Sequence, residues 1–421
     1  MKMTKILSLV LALLMLSVCF VGCGEKPQEE TKAKRGPNEV LLWVSTTPGV
    51  KEFVEGQVAD FIAANPEYAQ YTVKVEAIGE GDAAGQVLLD VATAPDMYCF
   101  AQDQITRLVQ AQALAPLGVQ ASAKVSEEND AGSVGAATVG GQIYAYPYTS
   151  DNGYYLYYDS SVISDEQAKT VEGIVAACRA ATKKFGYDHD NGWYTAGYFF
   201  SQPVGGGAPL CTSTWVVDDN AKFVGVNDTF NSANGLIALR GMRQLTSQTD
   251  VFVSECDKFG GTAAVITGTW NVSNVEAEYG DNMKATKLPT FTVDGVEYQM
   301  GSFSGYKLMG CLPQPEGYEA KGAFCQALAQ YLTSEKAQLE RYFEFQWGPS
   351  NKAAQADPDV MDNEILAALA YQNLYAQPQG TIEGKWWDTV ALLGTASSTP
   401  TKDLAEALAE YEAAIKAAIA K

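Results

Sequence analysis

The chain has 421 residues, 47% of them hydrophobic, and carries 50 Asp and Glu against 29 Lys and Arg, for a net charge of −21. Length and apolar content suffice for two ordinary domains with real cores. The charge argues against a polyanionic partner, because nucleic-acid binding rests on Lys and Arg neutralising phosphates, and against docking flat on anionic lipid.

The first element is a leader. Lys2 and Lys5 precede an apolar run from Ile6 to Val21, closed by Gly22-Cys23. The run is too short and too one-sided in charge for a good spanning helix, and it predicts an export signal over residues 1–22. Its ending, "FVGC", resembles a bacterial lipobox, with Phe20 where Leu is usual. The resemblance implies that Cys23 is lipidated and becomes the mature N-terminus. Residues 23–37 are polar and charged, without branched aliphatic side chains, and predict a flexible tether.

The folded part opens with "NEVLLWVST", an apolar run of β formers that predicts a buried strand. In "VKEFVEGQVADFIAANP", Phe53, Val54, Val58, Phe61 and Ile62 fall at helical spacing, with Pro66 beyond the end. "YTVKVEAI" alternates as a strand, "GQVLLDVATA" reads as a helix, "PDMYCF" as a short strand and "DQITRLVQAQAL" as a helix. Alternating β and α implies a parallel sheet with crossover helices. Ligands of such sheets gather at the carboxyl ends of the strands. That edge receives Ser45, Thr46 and Thr47 after the first strand, and Ala101, Gln102 and Asp103 after the third.

Next comes "YAYPYTSDNGYYLYYDSS", with seven tyrosines between Tyr144 and Tyr158. Tyrosine joins a flat apolar face to a polar edge, which suits a ligand with apolar faces and many hydroxyls. It also has good strand propensity, so a Tyr-rich hairpin or edge strand is the plainer alternative. "SDEQAKTVEGIVAACRAATKKF" predicts a helix opened by a capping box, Ser164 with Gln167. "VGGGAP" lacks the Lys-Ser/Thr of a phosphate loop and reads as a turn. "DTFNSANGLIALRGMRQLTS" is helical, and "TAAVITGTW" is a buried strand running into a Gly-bounded turn. "KLPTFTVDGVEYQMG" is a hairpin with Asp294-Gly295 at its tip. "KGAFCQALAQYLTSEKAQLERYFEF" gives two consecutive helices, and "PTKDLAEALAEYEAAIKAAIAK" a terminal one.

Besides Cys23, six cysteines lie beyond the leader: Cys99, Cys178, Cys211, Cys256, Cys311 and Cys325. None is spaced C-x-x-C, and His189 is the sole histidine, so a zinc site of the usual kinds lacks ligands. No metal and no cofactor are expected. Pairing of these cysteines and buried free thiols both stay open.

Several segments, in order, resemble extracellular solute-binding proteins of ABC sugar importers, the maltose/maltodextrin-binding kind. "APDMYCFAQD" is similar to the family's G-P-D strand and the acidic position after it. "GGQIYAYPYTSDNGYYLYYD" is similar to G-G-K-x-Y-x-x-P…Y-N, with Asp159 in the Asn place. "GGTAAVITGTWNVSN" is similar to G-x-x-A-M-x-x-x-G-x-W, with Val265 for Met. "KGAFCQALAQYLTSEKAQLERYFEFQWGPSNKAA" resembles the helix pair and its G-x-x-P loop, and "GKWWDTVALLGTASST" the late helix with a stacking Trp. The resemblance implies an α/β fold of the periplasmic-binding-protein type, a clamshell of two α/β lobes joined by a multi-crossing hinge. The N-terminal lobe would comprise residues 38–149 and 303–352, the C-terminal lobe residues 150–302 and 353–421. Crossings are expected near Tyr148–Tyr154, Tyr298–Ser302 and Pro349–Pro358.

By position in those motifs, Trp270 should stack a sugar ring, and Trp386 or Trp387 should do so from the late helix. Neighbours on a helix point about 100° apart, so one of the two faces the cleft. Tyr198 falls where the family carries an aromatic pair, and Phe100 where it carries a Trp. Asp103 matches a family Asp, with Gln104 where maltose binders often have Arg. Asp151 or Asn152 takes the place of a Glu. Gln102, Trp43 and Thr46 complete the candidates. An ionised carboxylate is expected to accept two sugar hydroxyls. The expected function is a non-enzymatic receptor at the outer face of the bacterial cytoplasmic membrane, monomeric and held by its lipid anchor. It would bind an oligosaccharide, with an α-glucan leading, and deliver it to the transmembrane subunits of an ABC permease, with no nucleic-acid partner. Two rival readings are a ferric-ion-binding clamshell using tyrosine pairs and a lipid-anchored glycoside hydrolase with two carboxyl groups.

Overall fold

The computed structural model describes residues 35–217, 223–254, 259–380 and 384–419. The export signal, Cys23, most of the tether and Cys256 lie outside the described residues. Contacts divide the chain after Gly36, and the fold belongs to the part that follows.

Val40, Leu42 and Val44 alternate inward along the strand Glu39–Val44 and seed the first core. Helix Val50–Ala64 lays Val50, Val54, Val58 and Phe61 on that core, one turn apart. Each such side chain contributes roughly 1.5–3 kcal/mol when fully buried. The sheet runs in the order Thr72–Ala77, Glu39–Val44, Met97–Ala101, Lys307–Cys311, Ala145–Thr149. Its first three strands are parallel, as the alternation of elements implies, and the last two pairings are antiparallel. Lys307 pairs with Ala101, so it starts its strand at the edge where the parallel strands end.

A second sheet has the order Phe252–Val253, Lys184–Gly186, Thr262–Thr267, Tyr155–Asp159, Met283–Thr286. Helices Val171–Ala181, Ala233–Thr246, Gly384–Ser398 and Leu404–Ile419 contribute buried residues to its core. The chain leaves the first core after Tyr148 and enters the second at Tyr154. It returns between Phe303 and Tyr306, and leaves again between Trp347 and Ile365. The molecule from residue 37 onward is therefore a pair of α/β lobes joined by three crossings. The middle crossing comes a few residues later than expected, because Phe303 still packs in the second core.

The tyrosines divide between the lobes. Tyr146 and Tyr148 are buried in the first core, and Tyr154, Tyr155, Tyr157 and Tyr158 in the second. Most of their hydroxyls find partners: Tyr155 and Tyr157 bond to each other at 2.6 Å, Tyr158 donates to Asp165, and Tyr146 to Gln326, while the Tyr148 hydroxyl is buried with no partner among the described residues. Ala145–Thr149 is the edge strand of the first sheet and Tyr155–Asp159 an inner strand of the second, and none of the seven tyrosines lines the interlobe cavity described below. Cys99, Cys178, Cys211, Cys311 and Cys325 are buried free thiols. Among the described residues no helix is long and apolar enough to cross a membrane.

Candidate ligand-binding site

Both lobes turn the carboxyl ends of their parallel strands to one cavity of about 860 Å³, within the usual range of ligand sites. Ser45, Thr46 and Thr47 follow the first strand, Gly79 and Glu80 the second, and Asp103 the third. From the other lobe, Asp188 follows Lys184–Gly186 and Trp270 follows Thr262–Thr267. The two walls differ in kind. Among the described lining residues, the second lobe supplies the aromatic rings Trp193, Tyr194, Trp270 and Trp387. The first lobe supplies Thr46, Glu80, Asp103, Gln104, Arg107 and Lys307.

The aromatic wall is set by local rules. Asn191 caps helix Gly192–Phe199 by accepting from the Trp193 N–H at 3.0 Å, which fixes Trp193 and Tyr194 in the first turn. The Tyr154 hydroxyl donates to the Trp193 carbonyl at 3.0 Å and the Tyr187 hydroxyl to the Tyr194 carbonyl at 2.7 Å. Buried tyrosines thus brace the rings that line the cavity. Trp193 and Trp270 lie 5.6 Å apart between ring centroids. A side chain at Gly268 would put its first carbon 2.1 Å from the Trp270 ring, so only glycine lets that indole fold back over its own turn. The Trp193 indole nitrogen is buried and has no acceptor among the described residues, a donor free for a ligand.

On the polar wall, Asp103 is 2% exposed. It does not cap the helix it precedes. Its Oδ1 accepts from Gln379 Nε2 at 2.9 Å, and its Oδ2 from Gln104 Nε2, whose Oε1 in turn accepts from Arg107. Burial pushes its carboxyl up to about 7; the Arg107 charge and donors including the Trp387 indole and its own backbone N–H pull the other way. A carboxylate offers about four acceptor positions. With these donors in place, a sugar hydroxyl must share with or displace one of them, so the expected two free positions are not there. Lys307 pairs with Glu80 at 3.4 Å and lies 5.6 Å from the Trp270 ring centroid, an ammonium facing an indole across the cavity.

Of the residues expected from sequence, Thr46, Asp103, Asn152, Trp270 and Trp387 line the cavity. The others do not. Trp386 is 0% exposed, with its indole donating to Asp228 at 3.2 Å. Phe100 is sealed in the first core, because its strand is covered on both faces. Tyr198 is sealed in the second core, one turn past the ring-bearing start of its helix. Asp151 accepts from the Gly348 N–H and the Thr269 hydroxyl, turned away from its neighbour Asn152. Gln102 holds the Tyr306 N–H at 2.8 Å, and Trp43 donates to Glu76 at 3.1 Å. Sequence reasoning missed Trp193, Tyr194, Arg107, Lys307 and Gln379. Asn191 as a helix cap was the available signal for the first two. Arg107, one turn beyond Gln104, supplies the cation whose usual place Gln104 takes.

A sequence profile described as bacterial extracellular solute-binding protein matches residues 56–368. A search of curated protein sequences gives no match. Among solved structures, a protein solved with acarbose is 24% identical over 91% of this chain and 100% of its own, with a TM-score of 0.77. The maltodextrin-binding protein MalE1 from L. casei BL23 is 23% identical over 92% and 100%, TM-score 0.69. The Thermus thermophilus maltotriose-binding protein, bound with maltotriose, is 17% identical over 90% and 100%, TM-score 0.74. At these identities the likeness establishes the fold.

Proposed function

Because the chain belongs to the bacterial extracellular solute-binding protein family, we propose that it is the oligosaccharide receptor of an ABC importer, with an α-glucan as ligand. One lobe comprises residues 38–149 and 304–352 and the other residues 150–303 and 353–421, the middle boundary lying one residue later than the sequence implied because Phe303 packs with the second core. Cys23 carries lipid that holds the protein at the outer face of the cytoplasmic membrane, and the closed, loaded form delivers sugar to a permease. The observation that carries this reading is the division of the cavity walls. A pyranose has C–H faces that stack on aromatic rings, and hydroxyl edges that need donors and acceptors. Trp193, Trp270 and Trp387 offer the first; Thr46, Asp103, Asn152 and Arg107 offer the second. Relatives of the same fold described with maltotriose and acarbose point to the same ligand class. The site residues need no reaction step: they grip, and closure between lobes is the output.

Calorimetry against maltotriose, xylotriose and galactotriose tests the reading. Maltotriose is expected to bind at around micromolar strength, about 8 kcal/mol. Trp270→Ala is expected to abolish detectable binding while barely moving the thermal midpoint, since Trp270 is only partly buried. Full-strength binding by that variant, or no heat with any of the sugars, overturns the assignment.

A further inference from the structure

We propose that Gln379 is a positioning residue of the cleft: its side-chain amide fixes the carboxylate of Asp103 to the first crossing between the lobes, and so sets the direction in which that carboxylate meets a sugar hydroxyl. The proposal rests on the receptor reading above.

Gln379 follows the strand Ala376–Pro378, which pairs in parallel with Ser302–Ser304 beside the middle crossing. Its backbone N–H donates to the Ser304 carbonyl at 2.8 Å, and the residue is 4% exposed. Its Nε2 donates to Asp103 Oδ1 at 2.9 Å, and its Oε1 accepts from Asn152 Nδ2 at 3.1 Å. Asn152 stands on the first crossing, with its own N–H donating to the Gly305 carbonyl at 3.2 Å. An ionised carboxylate only accepts, so it fixes which end of the Gln379 amide it sees, and the oxygen is left for Asn152. Gln104 does the same from the other side, with Arg107 behind it. Two amides therefore converge on one carboxylate, each with a donor at its back, and each link polarises the next.

The packing leaves little freedom. A first side-chain carbon on Gly305 would stand 2.7 Å from Gln379 Oε1, 3.2 Å from Gln102 Oε1 and 3.3 Å from Asn152 Nδ2. The backbone at Gly305 thus backs the amide cluster directly. Of the charged groups, Arg107 acts on Asp103 and favours its ionised form. Glu80, Asp82, Lys307, Asp188 and Asp388 line the same cavity.

Two variants test the proposal. Gln379→Met keeps the length and removes both partners. Gln379→Glu keeps the shape and sets a second carboxyl against the first. Each is read by carbon NMR titration of the Asp103 carboxyl in the ligand-free protein, and by maltotriose calorimetry at about pH 6 and about pH 8.5. Losing a donor to the charged form raises a carboxyl pKa. Gln379→Met should therefore move the Asp103 midpoint upward and weaken maltotriose about tenfold at the lower pH. The loss should narrow at the higher pH, where the carboxylate is ionised again. Gln379→Glu should show the opposite trend. Near the lower pH the two carboxyls share a proton, the new side chain can donate, and affinity stays close to the parent; near the higher pH both ionise and repel, and binding falls. Parent-like affinity and midpoint in Gln379→Met, or equal losses at both pH values in both variants, overturn the proposal. Should the parent bind no glucan, the receptor reading fails instead, and the Asp103 titration alone decides whether Gln379 holds that carboxylate.

Discussion

Trp386 and Trp387 are adjacent, and their environments are opposite. Trp386 packs edge-on to Trp215 and against Phe230, and its indole serves Asp228 together with the Tyr411 hydroxyl. Trp387 lines the cavity, where its indole favours the ionised form of Asp103. Trp386→Ala is expected to cost about 3–5 kcal/mol of stability, because it opens a core cavity and removes a donor from a buried carboxyl. Trp387→Ala should leave thermal unfolding almost unchanged and weaken maltotriose binding at least tenfold; denaturation and calorimetry on the two variants separate the roles, and equal destabilisation by both would contradict the assignment. Asp103 gives a second residue-scale prediction. Its pKa rises on folding, so its contribution is fully present below the unfolded value and is lost as pH climbs through about 7. A shift of that size is worth roughly 4 kcal/mol. Burial lowers the pKa of His189, which acts the other way: its contribution is lost as pH falls and complete above its ordinary 6.5. Burial also raises Asp228, which shares the direction of Asp103. Asp103 should therefore lower the ligand-free thermal midpoint as pH rises from near its ordinary 3.8 to about 7, with the fall levelling off above that, and Asp103→Asn should flatten it. An unchanged slope in the variant would remove Asp103 as its source.

At the scale of elements, strands and helices were legible where one face is buried, and the site was legible only in part. Periodicity marks Val50–Ala64 and Ala233–Thr246 because their apolar positions recur with the helical turn. Asp294-Gly295 marks a hairpin because few other residue pairs turn so tightly, and the hairpin Thr290–Gln299 is there. The capping box was half legible. Ser164 and Gln167 do exchange bonds, but they close only a single turn, and the helix starts at Val171 under Thr170, whose hydroxyl accepts from the Gly173 N–H at 3.0 Å. A local motif reports a local bond; how far a helix continues past it depends on what the next turns pack against. The tyrosine run misled in a similar way. Strands covered on both faces show no alternation, so sequence cannot tell a ring that faces ligand from one that holds the backbone behind it. Tyr154 and Tyr187 are of the second kind. Asp103 was legible because it follows a strand at its carboxyl end, and Trp270 through its place in the motif that resembles the solute-binding family's. Lys307 was not, because it begins an antiparallel strand whose reversal only the sheet order reveals.

For the whole molecule, three crossings hold two lobes, and all the described aromatic rings that line the cavity come from one of them. The aromatic wall carries the rings, with Asp188, Asn191 and Asp388 among its polar groups. The polar wall lacks apolar faces for the ring. Contacts to both exist together only when the lobes are close, so ligand free energy favours the closed arrangement over the open one by the difference between the two contact sets. Protein–protein links already span the gap: Lys307 to Trp270, and Gln379 to Asp103. In the proposed receptor, a bound sugar would share or replace these links as the lobes close over it. Two consequences are measurable together. Maltotriose should reduce the radius of gyration in small-angle scattering, and at a hundredfold excess over its dissociation constant it should add about 2.7 kcal/mol to unfolding by mass action. Because the same contacts drive both effects, they should titrate with one midpoint, and both should vanish in Trp270→Ala. A thermal midpoint that rises with sugar while the scattering profile stays fixed would mean that the ligand sits on one wall, and the lobes would then not be a clamp.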